Sequence, residues 1–128
     1  MNTHEEAPSG AAGDDAATAG YVVVERDQLA DSELQGYQFG GAHVCLIFID
    51  LEPGDGPRLH RHPYEEIFIV LEGQAKYTVG SDTAEAHAGQ VLIVRPGVPH
   101  KFVNSGSGRL RQIDIHASDR FITEWLEG

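Results

Sequence analysis

The chain has 128 residues, of which 41% are apolar, so it is long enough for one domain with a single hydrophobic core. Its 20 Asp and Glu residues outnumber its 9 Lys and Arg residues, which gives a net charge of -11 at pH 7. An acidic surface repels phosphate backbones and anionic lipid headgroups. The composition therefore predicts neither nucleic acid nor a membrane surface as a partner.

The first segment of the chain, MNTHEEAPSGAAGDDAATAG, contains almost no large apolar side chain. Its composition predicts a disordered acidic tail over residues 1–20, followed by one folded domain over residues 21–128. The segment lacks the basic start and apolar stretch of a secretory signal, and the longest apolar run, residues 44–49, is too short to span a bilayer. The solitary Cys45 cannot form an internal disulfide. Together these features predict a soluble, cytoplasmic protein.

From residue 21 onward, the sequence consists of short β-type runs divided by Gly, Pro, Asp and Asn. Turn signals such as EPGDGP, RPGVP and NSGSG recur at close intervals, which is typical of an antiparallel sandwich or barrel. The predicted strands cover residues 21–24, 36–39, 43–51, 65–73, 75–80, 84–88, 90–94, 100–104 and 110–117.

Beyond a turn or two in QLADSELQ, helix is predicted only near the end of the chain. In FITEWLE, the apolar residues Phe121, Ile122, Trp125 and Leu126 fall on one helical face. We therefore expect a short C-terminal helix, with Trp125 packing against the barrel or a second subunit. An edge strand at residues 21–24 would offer unpaired backbone groups to a second copy, so a homodimer is predicted.

Two histidines and a glutamate open an apolar run in LHRHPYEEIFIVLEG. Side chains alternate between the faces of an extended strand, so His60, His62 and Glu66 share one face. Two imidazoles and a carboxylate can bind a borderline divalent cation. The same pattern also fits an exposed loop that runs into a strand. A register shift by one residue would instead place Glu65 on this face.

A fourth candidate donor follows in GQVLIVRPGVPHKFVN. Here a strand and a rigid Gly/Pro turn deliver His100 at the start of the next strand. Because a metal ligand must be preorganised, this second segment favours the metal site over the exposed loop.

The two segments resemble the two motifs of the cupin superfamily. The first is Gly54-x5-His60-x-His62-x3-Glu66-x6-Gly73, and it matches without a gap. The second is Gly89-x5-Arg95-Pro96-Gly97-x2-His100-x3-Asn104, and it departs only at Arg95, where the family usually has Pro. The resemblance covers residues 38–116, and the short spacer at residues 74–88 is similar to that of small single-domain bacterial cupins.

This resemblance implies an all-β, single-domain jelly-roll β-barrel that holds one divalent transition metal. The implied ligands are His60, His62, Glu66 and His100. A His/Glu donor set accepts Fe, Mn, Ni, Cu, Co or Zn, so the metal identity stays open. Four protein ligands leave about two positions of an octahedral metal for water or substrate, which is typical of catalytic rather than closed structural sites.

The other motif residues are expected to shape the backbone. Glycines at turns and bulges adopt backbone angles that other residues avoid, and Asn104 is expected to hold a turn by hydrogen bonds. Arg95 would place a cation near the edge of the barrel. Three aromatic residues are expected in the core or on the apolar walls of the pocket: Phe48, Tyr64 and Phe102.

The last long strand has a polar face and an apolar face. Gln112, Asp114 and His116 alternate with Ile113 and Ile115. Because polar side chains usually face water, the favoured interpretation makes the polar row an outer face that is exposed to solvent. The alternative places the row inside the cavity, where it would support the metal ligands or transfer protons.

The resemblance implies a metal-dependent protein acting on a small molecule, and an Fe(II) dioxygenase is the reaction class ranked first. Isomerases, decarboxylases, lyases and polyketide cyclases share the scaffold, so the fold does not choose among them. A non-catalytic module that binds or senses a ligand through the metal is the alternative from another class. The sequence contains no helix-turn-helix segment, so a stand-alone transcription factor is not expected.

Overall fold

The computed structural model describes residues 20–127, so the predicted acidic tail over residues 1–20 lies outside the described residues except for Gly20. The strands of the described part are β1 (Glu33–Gln35), β2 (Cys45–Leu51), β3 (His60–Arg61), β4 (Glu66–Glu72), β5 (Gln74–Val79), β6 (Asp82–His87), β7 (Val91–Val94), β8 (His100–Asn104), β9 (Leu110–His116) and β10 (Glu124–Trp125). Three short 3-10 turns span Arg26–Gln28, Ala30–Ser32 and Gly36–Gln38. Within the same range, no helix is long and apolar enough to cross a membrane.

The strands form two antiparallel sheets of five strands each, an all-β jelly-roll arrangement. The first sheet has the order β1-β2-β9-β4-β7, and the second has the order β10-β3-β8-β5-β6. Their inner faces meet in the core, where the ring of Phe68 from the first sheet lies 5.2 Å from that of Tyr77 and 5.7 Å from that of Phe102 in the second.

The barrel interior is apolar at one end and polar at the other. Along β4, the inward side chains change from Glu66 to Phe68 and Val70, and the antiparallel register pairs Glu66 with His116 on β9. The buried core comprises Phe68, Val70, Ala75, Tyr77, Ala86, Val94, Phe102 and Leu110. Burying each large apolar side chain contributes about 1.5–3 kcal/mol. The apolar end therefore stabilises the barrel, and the opposite end can carry polar groups.

Seven of the predicted strands correspond to β2 and β4 to β9, with ends displaced by at most two residues. The expectation for Asn104 is also confirmed. Its Nδ2 atom donates to the carbonyl oxygens of Leu51 and Gly108, both at 2.9 Å, and its Oδ1 atom accepts from the Gly106 N–H at 3.0 Å. Cys45 is fully buried.

Two predicted strands near the start of the domain are wrong. Residues 21–24 form no strand, and Tyr21 and Val23 are 66% and 72% exposed. A β-type sequence needs a partner strand, and β2 already pairs with β1 on this side of the sheet. Residues 36–38 form a 3-10 turn, in which the Phe39 and Gly41 N–H groups both donate to the Gly36 carbonyl, at 2.9 and 3.1 Å.

The predicted C-terminal helix is also wrong. The segment is extended, and Glu124 and Trp125 form β10, which pairs with Arg61 and His60 of β3. The Leu126 N–H then donates to the Leu59 carbonyl at 2.9 Å. The open edge of β3 supplies hydrogen-bond partners for the backbone of this segment, whereas so short a helix is unstable on its own.

Candidate metal centre

The four residues of the two motifs come together at the polar end of the barrel. His60 begins β3, Glu66 begins β4 and His100 begins β8, while His62 lies just after β3. One nitrogen or oxygen atom from each lies within 4.8 Å of the others, and all four side chains are buried. Glu65 is exposed, so the predicted register, with Glu66 inward, is confirmed.

Three of these side chains are held in the same tautomer by the backbone. The Nδ1 atoms of His60, His62 and His100 lie 2.6, 2.9 and 2.9 Å from the carbonyl oxygens of Arg58, Ile122 and Val98. Because a carbonyl can only accept, each Nδ1 atom carries the proton and each Nε2 atom presents a lone pair. Burial also lowers the pKa of His60, which favours the neutral imidazole that binds metals.

The Glu66 carboxylate lies among these lone pairs. Its Oε1 atom is 3.0 Å from His100 Nε2 and 3.1 Å from His62 Nε2. Burial alone would raise the pKa of Glu66, but hydrogen bonds from histidine N–H groups outweigh burial and hold the pKa below its usual range. Where the Nε2 atoms of His62 and His100 carry lone pairs instead, a bound cation has to supply this stabilisation. The carboxylate is therefore the form present.

Lone pairs and a carboxylate at such distances repel each other unless a cation lies between them. His62 Nε2 is a buried atom with no hydrogen-bond partner among the described residues, which is what a metal-binding nitrogen requires. The donor set of three imidazoles and one carboxylate therefore fits a divalent metal.

A further histidine, His116, contacts the other side of the same carboxylate. Its Nε2 atom lies 2.9 Å from Glu66 Oε2, although the approach is not aligned as a hydrogen bond. Its Nδ1 atom lies 2.7 Å from the Tyr64 hydroxyl, and that oxygen accepts the Ile122 N–H at 3.3 Å. Burial raises the pKa of Tyr64 to about 12, so the hydroxyl keeps its proton.

These contacts assign a different role to His116. Because the Tyr64 oxygen accepts from the Ile122 N–H, its own proton is free to donate to His116 Nδ1; in that tautomer the His116 proton lies on Nε2, the atom beside Glu66 Oε2. His116 thus lacks the inward lone pair of the three motif histidines, and it positions Glu66 instead. The sequence gave no signal for this role beyond the alternation that places His116 on the same face of β9 as Asp114. The partner residue Tyr64 lies far away in the chain.

The structure overturns the favoured interpretation of the last strand. Gln112, Asp114 and His116 are only 1%, 2% and 3% exposed and face the interior. Ile113 and Ile115 occupy the outer face. The polar row is inside because its members have partners there: Tyr77 donates to Gln112 Oε1 at 2.7 Å, and Gln112 Nε2 donates to Asp114 Oδ1 at 2.8 Å.

A cavity of about 610 Å³ adjoins the cluster. Its apolar wall includes Phe102, as predicted, together with Ile47 and Ile49 of β2. Phe48 points to the outer face, where the Arg26 guanidinium lies 4.6 Å from its ring centroid.

The C-terminal segment closes one side of this cavity through Phe121, Thr123 and Trp125. Trp125 contacts the His60 ring at a centroid distance of 5.0 Å, although it remains half-exposed. This lining role was missed in the sequence, because the predicted helix would have carried these side chains elsewhere.

Residues 47–116 match the family model of the cupin domain, which spans more than half of the chain. The protein belongs to the cupin family. This cupin is 32% identical over 109 residues to the HTH-type transcriptional regulator PuuR of Escherichia coli. The match covers 78% of this chain and 58% of the regulator, so the chain spans less than two thirds of that relative.

Two solved structures illustrate the structural similarity of this cupin. A Bacillus subtilis oxalate decarboxylase with Mn(II) centres is 27% identical, with a TM-score of 0.67 over 73% of this chain and 27% of the decarboxylase. An uncharacterised double-stranded β-helix protein from Klebsiella pneumoniae is 24% identical, with a TM-score of 0.61 over 67% of this chain and 76% of that protein. The second similarity shows the fold alone.

Proposed function

We propose that this cupin holds one divalent transition metal through His60, His62, Glu66 and His100, and that it binds a small molecule in the adjoining cavity. The observation that carries the proposal is the convergence of three buried imidazoles and one buried carboxylate, whose donor atoms lie within 4.8 Å of one another, with each imidazole held by a backbone carbonyl at Nδ1. A bound metal would supply a Lewis acid with open positions for a ligand. We further propose a reducing, cytoplasmic setting, which the single buried Cys45 thiol supports.

The reaction class proposed first is an Fe(II)-type dioxygenase or a related oxidoreductase. Three imidazoles and one carboxylate leave room for both oxygen and a chelating substrate. The apolar wall of the cavity would exclude bulk water from that substrate. The test is anaerobic reconstitution with Fe(II), followed by an oxygen-electrode screen of catechols, flavonols, diketones and thiols. Oxygen uptake no faster than that of Fe(II) without protein would rule out this class for the compounds screened.

The second candidate is a non-catalytic module that binds a ligand at the metal. The match to a transcriptional regulator over 78% of this chain favours it. A ligand that raises the melting temperature of the metal-loaded protein and is recovered unchanged would support this candidate. Isomerase, lyase or cyclase activity would instead convert the compound without consuming oxygen.

A homodimer is also proposed, with a new surface in place of residues 21–24. The outer face of the first sheet carries two apolar rows across four strands, Leu46-Ile115-Ile67-Ile93 and Phe48-Ile113-Ile69-Val91. Val91 and Ile93 are 58% and 54% exposed. The two rows contain no charged residue, although the Arg26 guanidinium lies over the Phe48 ring. Because the net charge of -11 makes copies repel elsewhere, a second copy is the partner that this apolar surface fits.

The oligomer is tested by light scattering on the Ile93→Lys variant. We expect a dimer mass for the parent protein and a monomer mass for the variant, since a charge at the centre of the face would be desolvated on association. Thr83→Lys, on an exposed strand of the second sheet, is the matched control and should stay dimeric. A monomeric parent would refute the homodimer.

Removing His116 is expected to weaken metal binding by about 10–100-fold. Loss of a residue that orients a metal ligand, without binding the metal itself, typically lowers metal affinity by that factor. The His116→Phe variant loses the N–H beside Glu66, whereas His116→Gln keeps a donor and should recover part of the affinity. Affinity would be measured by competition with a chelator, with the exposed His43→Ala as control. Equal affinities in all variants would contradict the positioning role.

A further inference from the structure

The cavity wall is unusual in the sign of its charge. Its charged side chains are all carboxylic: Glu33, Asp55, Glu66 and Asp114. Among the described residues that line it, none is a lysine or arginine. Arg95, the cation that the sequence placed near the barrel edge, is exposed and does not line the cavity. Glu66 is engaged by the metal site, which leaves three carboxyl groups without an assigned role.

Asp114 is the innermost of the three, and its orientation is fixed. Tyr77, which is 1% exposed, donates to the Gln112 carbonyl, so the Gln112 amide group must point its N–H toward Asp114 Oδ1. Burial and the nearby Glu66 charge raise the pKa of Asp114, while the Gln112 hydrogen bond opposes them. No cation among the described residues is recorded against this carboxyl, so a cationic group entering the cavity would relieve the cost of burying it.

Glu33 and Asp55 lie on the more exposed side of the cavity. Glu33 lies on β1 opposite Ile47, and Asp55 lies in the loop that precedes β3. Both are exposed, so their negative charge acts at the entrance. The rings of Phe102 and Phe121 also line the cavity, and aromatic faces attract cations.

An independent feature of the same cavity points to a ligand. The buried His62 Nε2 atom has no hydrogen-bond partner within residues 20–127, and His62 lines the same cavity. The residues of the metal-binding cluster and the three remaining carboxyl groups therefore line one cavity.

We propose that the ligand of this cavity is a small amine, with a donor atom directed at the metal cluster and a protonated amino group held by Asp114. Glu33 and Asp55 attract the ammonium group at the entrance. The inference rests on the proposed function, in which the cavity binds a small molecule beside the metal. It adds the charge class of that molecule and the residue that selects it.

Two matched compounds test the proposal, aminopentanol and pentanediol, which differ only in one end group. Binding to the full-length protein loaded with Zn(II) would be measured by calorimetry at neutral pH, where the amine is protonated. We expect the amine to bind at least about tenfold more tightly than the diol, since an ammonium–carboxylate contact is a charge-assisted hydrogen bond. Equal binding, or binding of neither compound, would overturn the proposal.

Variants distinguish an amine held by Asp114 from an amine that binds the metal directly. In Asp114→Asn, the preference for the amine should fall by about tenfold, whereas Asp82→Asn, on an exposed strand, should leave it unchanged. If Asp114→Asn does not fold, Glu33→Gln at the entrance should still reduce the preference by about threefold. An unchanged preference in these variants would mean that the amine binds the metal, and it would refute the role of the carboxyl groups.

Elemental analysis of the same samples keeps the two proposals apart. A protein that retains no Zn(II) contradicts the proposed metal site itself. A protein that holds one Zn(II) per chain but does not prefer the amine contradicts only this inference.

Discussion

Replacing His62 with alanine is expected to abolish tight binding of the divalent metal. The variant loses one of four donors. Its metal affinity should therefore fall by more than the roughly 10–100-fold expected when a residue that only orients a ligand is removed. The His62 Nδ1 bond to the Ile122 carbonyl is lost as well, which removes one of the contacts that hold the C-terminal segment beside the site. Elemental analysis of protein purified without a histidine tag gives the metal content directly.

Thermal melting provides a second measurement of the same change. A metal at about 1,000 times its dissociation constant stabilises the folded state by roughly 4 kcal/mol. A chelator should therefore lower the melting temperature of the parent protein and leave that of His62→Ala unchanged. The control is His87→Ala, which removes an exposed histidine outside the cluster. If the parent binds no metal, or the His62 variant keeps it, the metal site is refuted.

The Gly73→Ala variant is expected to lose about 2–5 kcal/mol of the free energy of unfolding. Gly73 joins β4 to β5 with a φ of +83°, a backbone conformation that costs an L-residue about 1–2 kcal/mol. A Cβ atom there would also overlap the Arg109 carbonyl oxygen, and relieving such overpacking costs about 1–3 kcal/mol more.

Gly89→Ala is the matched control for this clash. Gly89 has a similar φ of +94°, but a Cβ atom there would have no other atom within 4 Å. Its substitution should therefore cost only the backbone term of about 1–2 kcal/mol. Chemical denaturation of both variants measures the difference, and equal losses would show that the close approach of Arg109 is not a constraint.

Much of the candidate site could be predicted from the sequence because its determinants are local. The spacing of His60, His62 and Glu66 fixes their shared face, and the turn before His100 fixes where that residue enters the barrel. Strands β2 and β4 to β9 were also predicted closely, since their apolar runs end at turn residues. Gly54, Gly73, Gly89 and Gly97 all have positive φ, as their positions in the motifs predicted.

Other features depend on contacts between distant parts of the chain. The C-terminal segment has the periodicity of a helix, but the open edge of β3 converts it to a strand. Residues 21–24 have a β-type composition, but without a partner in the sheet they form no strand. In both cases hydrogen bonding to another segment decided the outcome against local preference.

By itself, the sequence determined a cupin barrel with three histidines and a glutamate at its polar end. Alternation along β9 likewise separated Gln112, Asp114 and His116 from Ile113 and Ile115, but it could not say which face was inside. Only the tertiary structure decided that, because a strand lining a polar cavity reverses the usual rule that polar residues face water. The interior holds the polar row because Tyr77, Tyr64 and Glu66 lie there to contact it.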